Sequence, residues 1–297
     1  MDSNQTFLHL LNTFPKFGPV RLAKLINHFS SPEQALRSSE QEMEKSGIEK
    51  KIASEFKNFK RGIDPEREIN KLKQNKIGVI TILDENYPEL LKEISRPPII
   101  LYYRGEKNIK QNLNLAVVGS RKISNYGRQA LEVILNPLLE SNQKINIISG
   151  LALGIDTHAH QIALNKRIYT VAVLGSGLDE KSVFPYENKR LAQKIIASGG
   201  SLISEFPPGT PPLKHHFPQR NRIVAGLSKI VMVVEAEKRS GALITAHLAL
   251  EENREVAAVP GSIFSPTSQG TNELIGQGAE VITDSNSLTK LAIKFDS

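Results

Sequence analysis

Three glycine-bearing turns hold the residues of this chain best suited to chemistry. They are Val117-Val118-Gly119-Ser120-Arg121, Ile148-Ser149-Gly150-Leu151 running into Gly154-Ile155-Asp156, and Val173-Leu174-Gly175-Ser176-Gly177-Leu178-Asp179. Each follows an apolar run and opens a helix-like stretch. Backbone amides at helix N-termini bind anions, and glycine lets phosphate oxygens come close to the backbone. In an open parallel sheet all three turns share the carboxyl edge of the strands, so they would line one crevice. The first turn, Gly119-Ser120-Arg121-Lys122, is not a dinucleotide fingerprint, because the Arg121 guanidinium stands where the second glycine would be. An arginine there suits bidentate contact with phosphate and stacking on a base. No Walker A sequence occurs.

A second cluster follows the stiff loop Pro207-Pro208-Gly209-Thr210-Pro211-Pro212. Lys214, Phe217, Arg220, Asn221 and Arg222 fall within nine residues and combine phosphate neutralisation with a ring on which a base can stack. Glu235-Ala236 with Ser240-Gly241 reads as one more turn at the same edge, offering the Ser240 hydroxyl and helix amides to an anion. The expected site is therefore Gly119, Ser120, Arg121, Lys122, Gly150, Gly175, Lys214, Phe217, Arg220, Asn221, Arg222 and Ser240. Two structural alternatives stay open. The glycines serve close packing alone, or Phe217 fills the core while Arg220 and Arg222 pair with Glu205 and Glu235.

No catalytic constellation emerges. Asp156, His158 and His160 resemble a metal cluster on paper, but on a helix His158 points about 200° away from Asp156. Asp156 is expected to cap its helix instead, and neither a metal nor a cofactor is expected. Pro260-Gly261-Ser262 with Gly270-Thr271-Asn272-Glu273 loosely resembles a nucleotide phosphoribohydrolase motif, although the separation is wrong and the second glycine is missing.

Elements able to position these residues are legible in the hydrophobic pattern. Apolar β-branched runs predict strands at 115–118, 145–149, 169–174, 201–204, 230–234, 256–259 and 280–282, with helices over 127–140, 155–164, 188–197, 242–252 and 271–275. Such alternation implies a doubly wound, mostly parallel, Rossmann-like α/β sheet covered on both faces. Residues 114–297 form that domain. Residues 65–113 read as a transition that extends the sheet, with strand-like Val79–Leu83 and Ile99–Gly105. Residues 1–64 read as a small all-helical domain. Leu22, Leu25, Ile26 and Phe29 recur at helical spacing after Pro15-Lys16-Phe17-Gly18-Pro19, and Ser31 before Pro32 makes an N-cap. Helix, short turn, helix is the helix-hairpin-helix pattern, whose turn amides grip a phosphate. A bundle that only packs or recruits is the open alternative.

Composition bounds the function class. The 297 residues carry a formal net charge of +7, which leans toward polyanionic partners. Lysines are nonetheless scattered through the chain and many suit ordinary solvated surface. With no cysteine, disulfides, thiol nucleophiles and cysteine-ligated metals are excluded. No apolar stretch approaches the ~20 residues of a membrane helix, and the first residues do not begin a signal peptide, so a cytoplasmic protein without membrane contact is expected.

Taken together, the chain resembles the DNA-processing protein A family, DprA or Smf, from about Val79 to Ile282. The resemblance rests on Val117-Val118-Gly119-Ser120-Arg121 with Tyr126-Gly127, Ser149-Gly150-Leu151-Ala152 with Gly154-Ile155-Asp156 and His160, and Val173-Leu174-Gly175 with Gly177-Leu178-Asp179. Pro185 and Asn188, Ser204-Glu205, Phe217-Pro218 with Arg220-Asn221-Arg222, Glu235-Ala236 with Ser240-Gly241, and Pro260-Gly261 complete it. It implies a non-catalytic, homodimeric mediator that binds single-stranded DNA, protects incoming or recombining strands and helps load RecA. A nucleotide-processing enzyme using the same crevice is the alternative. Phe184 departs from the family's usual tyrosine, and the C-terminal winged-helix-like module of many members is not seen after Ile282.

Overall fold

The structure, a computed structural model, describes residues 1–107, 109, 112–141 and 144–295. Its first stretch is helical: α1 (Ser3–Asn12), α2 (Pro19–His28), α3 (Pro32–Arg37), α4 (Glu40–Lys45), α5 (Lys50–Lys60) and α6 (Pro65–Gln74). Local chemistry sets several boundaries. Asp2 and Gln5 form a capping box at α1, and Ser31 accepts from the Gln34 amide with Pro32 at the first helical position of α3. After α4, Gly47 takes the left-handed conformation (φ +85°) that turns the chain into α5.

Next come β1 (Gly78–Thr81), the short α7 (Glu89–Lys92) and β2 (Ile100–Gly105). From there strand and helix alternate: β3 (Leu113–Val118), α8 (Asn125–Ser141), β4 (Ile145–Ser149), α9 (Ile155–Asn165), β5 (Thr170–Val173), α10 (Lys189–Ala197) and β6 (Ser201–Ser204). The alternation continues through α11 (His216–Gly226), β7 (Ile230–Val233), α12 (Gly241–Glu251), β8 (Glu255–Ala258), α13 (Gln269–Gly276), β9 (Glu280–Val281) and α14 (Ser285–Ile293). Among the described residues one nine-stranded sheet runs in the order β1-β2-β6-β5-β4-β3-β7-β8-β9. The strands from β6 to β9 are mutually parallel. β2 joins β6 antiparallel, and β1 joins β2 antiparallel.

The side-chain period of two sends alternate residues to opposite faces. Leu115 and Val117 pack with Leu131, Leu135 and Ile155 from α8 and α9, whereas Ala116 and Val118 pack with Ile223, Val224 and Ala246 from α11 and α12. Both faces are therefore covered, which is why the central strands are mostly apolar; the buried Asn114 and Asn146 of β3 and β4 bond each other. This is a Rossmann-like fold. Helices α1 to α6 share a further apolar cluster with the sheet: Leu8, Leu11, Phe14, Phe56 and Leu72 lie with Ile100, Tyr102, Leu174 and Leu202. Polar bonds fix the same contact. Asn12 Nδ2 donates to the Tyr102 hydroxyl and to the Glu205 carbonyl, both at 3.1 Å, and His9 Nδ1 lies 3.0 Å from that hydroxyl.

The chain leaves β3 toward β4, β5 and β6, then returns to place β7 on the other side of β3. The strand order thus reverses between β3 and β7. A crevice opens outside the carboxyl ends of strands at such a reversal.

Candidate nucleic-acid interface

An open cleft of about 680 Å³ lies at that reversal. The turn after β3 supplies Gly119, Ser120, Arg121 and Lys122, the turn after β4 supplies Gly150, and the segment entering α11 supplies Lys214, Phe217, Arg220 and Asn221. Ser240 and Gly241, opening α12, close the far side. Segments remote in sequence meet here because each follows, or leads toward, a neighbouring strand of the sheet.

Two kinds of cation occupy the cleft. Arg121, Lys122 and Lys214 are exposed, and none of them has a salt bridge among the described residues. The Arg121 guanidinium lies over the Phe217 ring at 5.5 Å from its centroid. Arg220 differs: it is 6 % exposed, and its Nη1 donates to the carbonyls of Gly150 and Val173, at the ends of β4 and β5. Burial, with Arg121 close by, lowers the Arg220 pKa to about 10, against the pull of Asp156. Arg220 is thus a strut between two strand ends, with its charge directed into the floor of the cleft.

Asp156 completes this frame. It is buried, and its carboxylate accepts from the amides of Gly150 (3.0 Å) and Ala152 (3.3 Å), fastening the β4–α9 turn. Burial raises its pKa above the ordinary aspartate value. The expectation that Asp156 caps α9 is corrected: Gly154 is the N-cap, in a positive-φ conformation (+80°), and the carboxylate reaches back to the turn. His158 and His160 diverge from it, His158 toward Glu132 and His160 toward the Thr170 hydroxyl.

The glycines of the turns are largely packing devices. A Cβ at Gly150 would overlap the Arg220 guanidinium, and one at Gly119 would stand 2.6 Å from Ile155 Cγ1. Gly175 lies behind the cleft, where its missing side chain lets Phe217 approach. Gly241 is the exception, with open space around the position a Cβ would take. It begins an eleven-residue helix in whose first turn the Leu243 amide bonds the Ser240 carbonyl at 3.2 Å, and the adjacent Ser240 Oγ is buried without a hydrogen-bond partner among the described residues.

The remaining expected residues fall as follows. Ser120 Oγ organises its own turn through the Lys122 amide at 3.1 Å and carbonyl at 3.0 Å. Asn221 bridges, accepting from Arg220 Nε and donating to the Gly241 carbonyl. Arg222 is not brought to the cleft. It leaves α11 on another side and ion-pairs with the buried Glu205, because, two residues along the helix from Arg220, it points about 200° away. Glu235 pairs with neither arginine. Its carboxylate accepts from the Ser124 amide and hydroxyl and the Thr267 hydroxyl, and packs where a side chain on Gly127 would stand.

Three contributors are not among the expected site residues, although the resemblance names two of them, Asn188 and Phe184. Asn188 Nδ2 donates to the Leu151 carbonyl and the Thr157 hydroxyl, tying the loop after β5 to the turn after β4. Phe184 lies 5.8 Å, ring to ring, from Phe217. Glu237 adds a carboxylate to the cleft wall. The signal for Asn188 and Phe184 was the family resemblance, which gave neither of them a role, and Glu237 had none.

Fold and cleft together define an open α/β protein that presents a cationic, aromatic-bearing cleft where its strand order reverses. Residues 78–292 match the family described as DNA recombination-mediator protein A, and the chain belongs to that family. The DNA processing protein DprA of Streptococcus pneumoniae is 45% identical over 208 residues, which cover 70% of this chain and 72% of that protein. An X-ray structure of DprA from the same species superposes with a TM-score of 0.83 at 34% identity, covering 97% of this chain and 98% of that one. A second structure, of DNA processing protein A from Helicobacter pylori, describes that protein's single-stranded DNA binding mode; its TM-score is 0.65 at 29% identity, covering 74% of this chain and 96% of that one.

Proposed function

We propose that this protein is a single-stranded DNA-binding recombination mediator that protects incoming or recombining strands and helps load RecA. It acts as a homodimer in the cytoplasm, without catalysis of its own. One observation carries the reading: Arg121, Lys122 and Lys214 line one open cleft with Phe217, Arg121 over its ring, and none of the three forms a salt bridge among the described residues. Cations held in ion pairs contribute little to binding a new anion. The hairpin turn near Pro15 illustrates the contrast, since Lys16 pairs with Glu55 and Arg21 with Glu49. A ring beneath a guanidinium offers a base a stacking face while the charge meets its phosphate, a combination indifferent to sequence. The Helicobacter pylori relative described as binding single-stranded DNA supports the same assignment. Among the described residues no helix is long and apolar enough to cross a membrane.

The test is a gel shift with single- and double-stranded oligonucleotides across a salt series, followed by RecA filament formation on DNA coated with single-strand-binding protein. Preference for single strands with a steep loss of affinity in salt is the expected result. Equal affinity for duplex, or no gain in RecA loading, counts against the corresponding half of the proposal.

A further inference from the structure

Beyond the cleft, the sheet's carboxyl edge carries an aromatic ledge in the loop between β5 and α10. Phe184 is 43 % exposed, and two residues on Tyr186 is 76 % exposed, with Lys189 Nζ 4.8 Å from its ring centroid. An isolated exposed ring is ordinary. The nearer of the two rings joins the cleft: Arg121 covers Phe217, and Phe217 meets Phe184 at 5.8 Å, with Tyr186 two residues further along the same loop. The ledge is also fixed in place. Asn188 bonds the Leu151 carbonyl and Thr157 hydroxyl of the β4–α9 region, and Asp179 accepts from the Ser182 hydroxyl and the Gly209 amide. Lys189 and the exposed Lys181 and Arg190 have no salt bridge among the described residues, although Glu180 and Glu187 are on the same loop. Rings paired with cations, held on a rigid edge, are the components of a sequence-tolerant nucleic-acid track.

We infer that Tyr186 and Lys189 form a second base-stacking subsite, and that a single strand leaving the cleft runs across the sheet edge from β3 toward β5. This rests on the cleft's being the single-stranded DNA site. The strand's phosphates meet Lys189 while an unpaired base lies on the Tyr186 ring, with Phe184 as the step between the two subsites. The opposite course, past the 89 % exposed Phe264 in the loop after β8, has no residue in ring contact with Phe217 among the described residues, whereas the ledge has Phe184.

Binding of oligo-dT of about 4 and about 16 nucleotides, lengths that bracket a small binding site, tests the ledge by fluorescence anisotropy. Tyr186→Ala is expected to weaken the long oligonucleotide by about fivefold or more, as loss of one stacked base requires, and to leave the short one unchanged. Tyr186→Phe, which keeps the ring, restores the affinity. Undiminished long-oligonucleotide binding by Tyr186→Ala, or equal loss at both lengths, overturns the ledge. A length-dependent loss in Phe264→Ala with none in Tyr186→Ala reverses the direction of the track. Arg121→Ala, measured alongside, reports on the cleft: if it loses affinity while Tyr186→Ala does not, only the ledge falls, and if it loses none, the cleft assignment fails.

Discussion

The Arg121 guanidinium rests over the Phe217 ring, 5.5 Å from its centroid, although 96 residues separate them in the chain. The contact joins the turn after β3 to the start of α11. A charge and a stacking face are thereby presented together, with the charge kept exposed. Arg121→Ala is expected to weaken oligo-dT binding about tenfold or more and to reduce the slope of log affinity against log salt by about 0.7, the value for one phosphate contact on a single strand. Phe217→Ala should cost about 1–3 kcal/mol in affinity with the salt slope unchanged. Filter binding across a salt series separates the two, and a slope that shifts equally in both variants contradicts this division of labour.

Arg220 should behave oppositely. Removing its guanidinium leaves the Gly150 and Val173 carbonyls without that donor and Asp156 without its neighbouring charge, so Arg220→Met is expected to destabilise the fold by about 3–5 kcal/mol in urea unfolding. Arg121→Ala, in the same assay, should stay within about 0.5 kcal/mol of the parent, as an exposed substitution does. Similar stabilities for both variants would refute the distinction between strut and ligand.

Gly241 faces open space at the start of α12. An aspartate there fits and suits the positive end of the helix, so Gly241→Asp should leave thermal stability unchanged or raised by about 0.3–1 kcal/mol. Its charge occupies the position offered to a phosphate, and affinity for oligo-dT should fall about tenfold. Retained affinity in this variant would remove Ser240 and Gly241 from the binding surface.

Burial holds the His160 pKa down at about 3, with Nδ1 2.7 Å from the Thr170 hydroxyl. An unfolded chain takes up that proton near pH 6.5 while the native state refuses it, so falling pH favours unfolding between roughly pH 6.5 and 3. Relative to His160→Gln, the parent should lose about 1.4 kcal/mol of stability per pH unit within this window. Urea midpoints at pH 7, 5.5 and 4.5 measure the difference, and parallel curves would show that His160 does not set the slope.

The fold was legible because the strands announce themselves: Ile230–Val233 is an unbroken apolar run and Ile145–Ser149 an isoleucine-rich one, broken by Asn146 and ended by Ser149, and both are buried throughout. The cleft was legible for the same reason, since topology alone carries the turns after β3, β4 and β7 to one edge. What the sequence could not distinguish was Arg121 from Arg220 and Arg222. All three are arginines beside glycine or polar residues, yet one is exposed, one is buried against strand-end carbonyls, and one pairs with Glu205. Burial of a charge depends on which carbonyls and carboxylates the fold gathers, and these come from distant segments. The exposed Phe184 and Tyr186 were equally silent, because an aromatic side chain ordinarily signals core.

The helices before β1 are the outer wall of one face of the sheet. Leu8, Leu11 and Phe14 cover Ile100, Tyr102 and Leu174, while Asn12 holds the carbonyl of Glu205, whose carboxylate in turn binds Arg222 on α11. A shortened chain beginning near Asp64 would therefore meet water with a bared apolar sheet face and a loosened neighbour of the cleft. Poor solubility and weakened DNA binding in such a truncation would report the loss of a wall, whatever the helices themselves recruit.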